Sequence, residues 1–501
     1  MPRRRVPAAE GPSVDASKRR TYGPGAAGNS RSRESRVKPF SRYWDLGSPT
    51  PPKLATGVKL AIPALCGLCL TAQPVLADAI PLVRDTEVER MLKAYEDPIL
   101  HAAGLEPAAV KMYLVQDSSI NAFAAEGQNI FINTGLIQQA HNPNEVIGVL
   151  AHETGHIAGG HLIRDSSAIS KAMVPMLLGV AAGMAAMIAG AGEGGLALMG
   201  LGMSASQAQF LQFSRVQEAT ADQMGQKFLR DTHQSGRGML DFFERLADES
   251  AMSAYKPDPM VMDHPAFRER FDLLQRLVEA SSYKDVKDSA EAMHAFHMAQ
   301  AKLAGFIDNV DMVLTHYPPS DNSEEAHYAR AVAYFRQPDL QKAIAECDTL
   351  IKREPKNPYF WELEGQIYVN MSKPEKGVPA YQKSVDLLPD APLLRVSLAA
   401  AQLATEKTVL AKPALDNLKI ALRQENDNTF AWFEAAQAYS EIGNEPMANL
   451  STAERYYNAG AMPSAARFAA MAQRKLPQGS TDWQRATDIM AVAGPEAQKH
   501  R

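Results

Sequence analysis

The chain has 501 residues, of which 46% are apolar and 22% are charged. A chain of this length divides into two or three domains of ordinary size, which excludes a single small binding module, and the composition is that of a globular protein. The 52 Lys and Arg against 57 Asp and Glu leave a formal net charge of −5, too close to neutral to indicate a surface that binds nucleic acid.

The N-terminal segment differs from the rest of the chain. Residues 1–56 are rich in Arg, Ser, Pro and Gly and hold few apolar side chains for a core. We therefore predict that they are disordered, or that they are a misassigned extension upstream of the true translation start. Residues 1–59 carry 13 Lys and Arg against four acidic residues, so the remainder of the chain is acidic.

Residues 57–79 have the pattern of a secretory signal peptide. A basic residue precedes an uncharged apolar run at 60–72, and small residues offer cleavage sites after Ala77 or Ala79. The run is shorter than an ordinary membrane-spanning helix, and an uncleaved N-terminal anchor is the alternative. Two of the three cysteines lie in this run and the third is Cys347, which excludes a disulfide framework and a cysteine-based metal site.

The segment 80–280 has the pattern of a compact mixed domain. Apolar spacing predicts a helix at 87–103 and a strand at 112–116. Residues 120–133 read as two strands that form a hairpin. A second, strongly apolar helix is predicted at 144–160.

This second helix contains the sequence His152-Glu153-Thr154-Gly155-His156. Positions i and i+4 of a helix share one face, so both imidazoles can bind the same metal ion. Glu153 is placed to take a proton from a water molecule at that metal. The pattern is short and occurs by chance. Its position on an apolar helix after a hairpin favours a zinc site, because an edge strand can there hold an extended peptide beside the metal.

A catalytic zinc site needs a third protein ligand, and two candidates compete. In the extended pattern HExxHxxGxxH the third histidine would stand at Leu162, so His161 is predicted to be a surface histidine or a neighbour of a ligand. Glu218 and Asp222 are spaced i, i+4 on a helix predicted at about 207–230, where one carboxylate can bind metal and the other can orient an imidazole. The alternative for this pair is two solvated acids on an exposed face.

Three further motifs accompany HETGH: RVQEATAD at 215–222, Asp263-His264-Pro265 with Arg270, and NAFAAEGQNIFINTGLI at 121–137. With these motifs the chain resembles the HtpX-like and CAAX-prenyl-protease-like zinc metallopeptidases. The resemblance extends over about 80–480.

The resemblance implies one catalytic Zn²⁺ ion bound by three side chains, His152, His156 and Glu218. It implies that Glu153 is the general base. The side chains that it places behind the ligands are Asp222, Arg215 and Arg270.

Four more residues receive expected roles from the resemblance. His264 matches a histidine that approaches the metal on a mobile loop, where it either latches the site shut or stabilises the transition state. The residues of the hairpin that we expect to contact substrate are Asn121, Phe123 and Ile130.

An apolar insert separates the two helices that carry the expected ligands. Residues 172–214 contain one charged residue, Glu193, and are dominated by Gly, Ala and Met. We predict an apolar lid or a loop that touches a membrane surface. A transmembrane hairpin and packing within the domain core are the alternatives, and the sequence does not separate contact with substrate from contact with membrane.

The C-terminal part repeats with a period of about 34 residues, the spacing of tetratricopeptide helix pairs. The repeats are clear over about 324–446, and we assign 281–480 to them, with an irregular closing unit at 463–477. Residues 481–501 are predicted to be a tail. Stacked helix pairs of this kind form a curved surface that can hold a protein partner.

The predicted fold class is therefore α+β, mainly helical, with a zincin-like metallopeptidase domain followed by an α-solenoid of tetratricopeptide helix pairs. The favoured function is that of a zinc endopeptidase of the bacterial periplasm that degrades misfolded or misassembled envelope proteins. The resemblance implies chaperone-like support of outer-membrane β-barrel assembly, with the assembly machinery as a partner of the repeats. A holdase with little proteolysis and a scaffold with a dead metal site are the alternatives.

Overall fold

The structure is a computed structural model. The predicted N-terminal extension, the predicted signal peptide and His264 lie outside the residues that it describes. The residues that the structure describes are 81–125, 128–161, 173–184, 192–252 and 267–499.

A four-stranded sheet forms one layer of the N-terminal part. Its strands are β1 (Leu82–Val83), β2 (Lys111–Val115), β3 (Ala122–Ala125) and β4 (Asn129–Asn133). The spatial order is β1-β2-β4-β3, with β2 and β4 parallel and the other pairs antiparallel. The predicted hairpin is confirmed, because β3 pairs with β4 and Phe123 lies opposite Phe131. This order makes β3 an edge strand.

The helices of the N-terminal part pack against the sheet or against one another. They are α1 (Thr86–Ala103), α2 (Thr134–Gln139), α3 (Pro143–Ala158), α4 (173–184), α5 (Gly192–Asp231), α6 (Arg237–Met252) and α7 (Phe267–Glu279). The predicted start of α3 is confirmed, since the Asn142 side chain accepts a hydrogen bond from the Glu145 amide. Residue Gly160 adopts a φ of 64° just after α3, so the chain turns there and does not continue the helix.

Helices α3 and α5 approach each other to backbone contact. A Cβ atom on Gly155 would lie 2.6 Å from the carbonyl oxygen of Ala221, and one on Gly225 would lie 3.1 Å from the backbone of Ala151. Glycine is therefore required for this spacing. One helical turn away from these glycines, the close crossing brings side chains of the two helices together, and the candidate site lies there.

The main apolar core lies between the helices and one face of the sheet. It includes Ile130 and Ile132 of β4, Val149 and Leu150 of α3, and Phe228 of α5, all buried. The opposite face of the sheet carries a smaller buried cluster of Leu82, Val115 and Phe131.

The insert between α3 and Glu218 is helical wherever the structure describes it. The predicted loop is therefore wrong for 173–184 and for 192–206, which belong to α4 and α5, whereas the helix predicted from about 207 is confirmed. Many Gly and Ala residues suggested a loop, but Gly179 and Gly202 instead let the two helices pack closely. Among the described residues we find no helix with the length and hydropathy needed to cross a membrane.

The C-terminal part is a series of helix pairs, as predicted. The helices are α8 (Ala290–Ile307), α9 (Val310–His316), α10 (Glu324–Arg336), α11 (Leu340–Arg353), α12 (Pro358–Asn370), α13 (Pro374–Leu387), α14 (Pro392–Ala404), α15 (Thr408–Gln424), α16 (Thr429–Glu441), α17 (Glu445–Asn458), α18 (Met462–Gln473) and α19 (Thr481–Lys499).

The helix pairs extend further than the sequence suggested. The stretch predicted to be irregular forms α18, and the predicted tail forms α19. Buried Ala469 of α18 shares a core with Ala486 and Ile489 of α19. Alanines fill most buried positions of this last pair, so it lacks the large residues by which the earlier repeats were identified.

Buried charges join the first described residues of the N-terminal part to the repeats. The Nζ atom of Lys302 on α8 lies 2.7 Å from Asp85, 3.3 Å from Glu87 and 3.9 Å from Glu362. The hydroxyl of Tyr328 on α10 donates a hydrogen bond of 2.7 Å to Glu87. The carboxylates outweigh the effect of burial and raise the pKa of Lys302 above its ordinary value, so the lysine is a fixed positive charge.

Candidate metal centre

Two imidazoles and one carboxylate meet where α3 and α5 cross. The Nε2 atoms of His152 and His156 are 3.1 Å apart. Glu218 of α5 places its two carboxylate oxygens 3.4 Å from these two nitrogens, one oxygen to each. All three side chains are buried. The structure thus brings together the three residues that the sequence predicts as ligands.

This donor set fits a catalytic zinc ion. One donor atom from each of the three side chains lies within 4.8 Å of the others, which is the separation that ligands around one ion require. Two histidines with one carboxylate are a known ligand set of catalytic zinc, and three protein ligands leave a position for water or substrate. Zn²⁺ is borderline soft and accepts this mixture of nitrogen and oxygen.

Charged side chains next to the three candidate ligands hold them in place. The Asp222 carboxylate lies 3.0 Å from Nδ1 of His152. Arg270 of α7 donates two hydrogen bonds, of 2.6 and 2.7 Å, to Asp222 and one of 2.6 Å to Glu218. Burial alone raises the pKa of Asp222, but Arg270 and His152 outweigh burial and hold it below its usual value. Asp222 is therefore ionised and fixes the ring orientation of His152.

The same contacts change the protonation of His152. Burial lowers its pKa, but the hydrogen bonds and charges of Asp222 and Glu218 outweigh burial and raise the pKa to about 9. A proton and a metal ion therefore compete for this imidazole.

His161 lies behind His156. Its Nδ1 atom is 3.1 Å from Nδ1 of His156, and its side chain is only 3% exposed. The surface position considered for His161 is therefore wrong, and the position next to a ligand is the one observed. The physical reason is the turn at Gly160, which folds the chain back instead of continuing α3.

Glu153 lies beside the edge strand. One of its carboxylate oxygens accepts a hydrogen bond of 3.0 Å from the Ala124 amide of β3. That amide points away from β4, because it is bonded to Glu153 and not to the neighbouring strand. A peptide added along β3 would therefore pass directly next to the carboxylate.

Glu96 is a buried residue near the site that no sequence pattern indicated. This residue of α1 is fully buried, and one of its oxygens accepts a hydrogen bond of 3.0 Å from Oγ1 of Thr154, inside the HETGH motif. Burial is the largest cause that raises the pKa of Glu96 to about 8, and the charge of Glu153 adds to it. Its neighbours Lys93 and Asp97 gave it the pattern of a solvated acid, and only the packing of α1 on α3 reveals its position.

Glu96→Gln is expected to remove a pH dependence of stability. The folded state holds a proton on Glu96 up to a pH of about 8, whereas the unfolded chain releases it near 4.5. The contribution of Glu96 to stability is therefore present below pH 4.5 and is lost as pH rises to about 8, by roughly 2–4 kcal/mol. Urea denaturation at pH 5.5 and pH 9 measures the free energy of unfolding, and the variant should lose less of it than the parent.

The control for this experiment is Glu106→Gln, since Glu106 is exposed. Effects of pH on metal binding that the chains share cancel when the losses of stability between the two pH values are compared from one chain to the next. Parallel losses of stability in the parent and in Glu96→Gln would contradict the prediction.

The three hairpin residues that were expected to contact substrate lie in different environments. Ile130 is fully buried in the main core, which is incompatible with direct contact to a substrate. The Asn121 side chain is also buried, and the backbone carbonyl of Asn121 accepts a hydrogen bond from the backbone amide of Asn133. Phe123 is half-buried and stacks on Phe131 at 5.0 Å, on the face of the sheet away from the main core. The backbone edge of β3 is therefore a better candidate for substrate contact than these side chains.

Two other polar residues, Arg215 and His294, lie outside the group of candidate ligands. Arg215 has an exposed side chain on α5, one turn before Glu218, whereas buried Arg270 makes the contacts described above. On the repeats, His294 lies 3.7 Å from Glu354 and 3.9 Å from Glu324. These side chains are partly exposed, and such surface groupings are common without a metal, so His294 keeps no assigned role.

Known proteins resemble both parts of the chain. Residues 84–278 match peptidase family M48, and residues 317–358 match a tetratricopeptide repeat. The beta-barrel assembly-enhancing protease of Escherichia coli (strain K12) is 22% identical over 416 residues, which cover 81% of this chain and 82% of that protein.

Two further relatives match shorter parts. The putative beta-barrel assembly-enhancing protease of Vibrio cholerae is 26% identical over 290 residues, 56% of this chain and 58% of the relative. Metalloprotease LoiP of Escherichia coli (strain K12) is 33% identical over 179 residues, 36% of this chain and 66% of the relative.

Proposed function

Because residues 84–278 are a domain of peptidase family M48 in a chain homologous to beta-barrel assembly-enhancing proteases, we propose that the protein is a zinc endopeptidase. The observation that carries this proposal is the buried group of His152, His156 and Glu218, with Glu153 next to an edge strand. We propose these three residues as the zinc ligands and Glu153 as the general base.

Different residues of the chain have different roles in peptide hydrolysis. Zinc, when bound, polarises the scissile carbonyl and lowers the pKa of water towards neutrality. Glu153 accepts the proton of the attacking water and returns it to the leaving amine. The edge of β3 aligns an extended substrate by backbone hydrogen bonds, which suits cleavage within unfolded segments of varied sequence. Asp222 and Arg270 hold the ligand side chains so that these steps need no rearrangement.

We retain His264 as a residue that acts at the zinc, either as a latch or in stabilising the transition state. Replacement by Ala separates these roles, because loss of a latch raises the activity of the zinc-loaded chain and loss of a stabilising group lowers it.

The substrates we propose are misfolded or misassembled proteins of the bacterial periplasm, including outer-membrane β-barrel proteins. The predicted signal peptide supports the location, and the names of the relatives support the link to barrel assembly. The repeats supply a surface for substrates or for the assembly machinery.

The proposal is tested with the processed chain, residues 78–501, and an unfolded model protein as substrate. Removal of metal with a chelator should abolish cleavage, and one equivalent of Zn²⁺ should restore it. A holdase predicts a different result, in which the chain prevents aggregation of the substrate equally well with and without metal and cleaves nothing. Cleavage that survives complete removal of the metal would overturn the proposal.

A further inference from the structure

The α4–α5 hairpin, defined as residues 173–184 and 192–206, exposes many large apolar side chains. On α4 they include Val174, Leu177 and Leu178, which are 50–66% exposed and recur on one face of the helix. On α5 they include Leu196, Leu201 and Met203, which are 59–67% exposed. A patch of this kind on a protein marks an interaction surface.

The contact between the two helices is made by small residues. A Cβ atom on Gly179 would lie 2.6 Å from the Cα atom of Gly202, and one on Gly202 would lie 2.7 Å from Gly179 Cα and from the Pro175 carbonyl. The two backbones therefore touch, with no large side chain between them at the crossing.

This arrangement is the reverse of a helical hairpin that faces water. In water, two helices bury their large apolar side chains against each other and expose polar ones. Here the small residues lie inside and the large apolar residues lie outside. That distribution is characteristic of helices that pack in lipid, where the hydrocarbon solvates the large side chains and glycines allow close packing.

The charges of the hairpin agree with an apolar surrounding. Residues 172–214 contain Glu193 as their one charged residue. A bilayer can contact apolar side chains on every side of the hairpin. An extended polypeptide that adds to a sheet needs backbone groups to pair with, and the exposed faces of two helices do not offer such groups. A single charged residue is therefore present among many apolar ones, which suits contact with hydrocarbon.

The dimensions of the hairpin are compatible with contact to a bilayer. The 12 described residues of α4 extend about 18 Å, compared with the roughly 30 Å thickness of the hydrocarbon core. The described part of α4 is therefore long enough to enter one leaflet.

We propose that the α4–α5 hairpin inserts into one leaflet of a phospholipid bilayer and anchors the catalytic domain at the membrane surface. Helix α5 continues from the hairpin to Glu218 without interruption. The anchor is therefore covalently continuous with a helix of the metal centre.

Flotation with phosphatidylcholine vesicles tests this proposal. The processed chain carries Glu153→Gln, so that binding is measured apart from proteolysis. We expect it to float with the vesicles in low and in high salt, because insertion of uncharged residues is not screened. The triple variant Leu177→Ser, Leu178→Ser, Leu201→Ser should bind at least tenfold less.

The control triple variant replaces Val286, Met312 and Val409 by Ser. These residues are 47–77% exposed elsewhere on the chain, so they match the loss of exposed apolar surface and should leave binding unchanged. Thermal unfolding checks that both variants fold. The proposal is overturned if the parent does not float, if both triple variants bind equally, or if the hairpin variant loses only its binding to an unfolded polypeptide.

A fluorescent label locates the contact. After signal cleavage Cys347 is the remaining cysteine, and it is buried, so Leu201→Cys can be labelled selectively with an environment-sensitive dye. Vesicles should shift its emission to the blue, and quenchers within the acyl chains should reduce it. A label at Val409→Cys should not respond. Equal responses at the two positions would contradict insertion by the hairpin.

Discussion

Glu153→Gln is expected to reduce the rate of peptide hydrolysis by about 10²–10⁴-fold, the range that a positioned general base contributes. Glutamine keeps the size of the side chain, and its amide oxygen can still accept the Ala124 hydrogen bond that Glu153 accepts in the structure. It cannot take a proton from water. The fold and the metal content should therefore remain unchanged while the rate falls, which initial rates and metal analysis of the same preparation will measure.

The matched control is Glu244→Gln, an exposed residue of α6 in the same domain. This variant should cleave at the parental rate. If Glu153→Gln retained full activity with zinc bound, another group would have to act as the base, and the assignment of Glu153 would fall.

Arg270→Met is expected to cost about 3–5 kcal/mol of stability and to weaken zinc binding by about 10–100-fold. The Arg270 guanidinium contacts both Asp222 and Glu218 and is 6% exposed. Methionine fills part of the same space but leaves two buried carboxylates without their cation. One of them should then take up a proton, and both the orientation of His152 and the charge of the ligand set change.

Urea denaturation of the metal-free chain measures the first effect, and competition with a zinc chelator measures the second. The control Arg230→Met removes an exposed arginine that pairs with Asp231 on the surface. It should cost less than about 1 kcal/mol, as exposed ion pairs do. An equal effect of the two variants on zinc affinity would show that Arg270 does not support the ligands.

Local patterns were sufficient to predict the parts of the site that lie on single helices. The spacing of His152 and His156 follows from the geometry of one helix, and Glu218 with Asp222 from that of another. The period of about 34 residues likewise predicted the helix pairs of the C-terminal part. Such features survive in the sequence because each depends on neighbours within a few turns of the same element.

Features that depend on the crossing of two elements could not be predicted in this way. Glu96 became part of the site only through the packing of α1 on α3, and His161 reached His156 only through the turn at Gly160. The sequence likewise did not distinguish a flexible apolar loop from two helices joined through Gly179 and Gly202, since glycine serves both purposes.

The charged contact between Asp85, Glu87 and Lys302 has a consequence for the order of folding. A polypeptide emerges from the ribosome with its N-terminus first, so Asp85 and Glu87 appear more than 200 residues before their lysine and before Tyr328. Until then the two carboxylates remain hydrated and the first turn of α1 lacks its partners. Closure of loops this long is slow, so the first turn of α1 reaches its final contacts only after the first repeats have formed. The contact therefore couples the folding of α1 to that of the repeats, although the two lie far apart in the sequence.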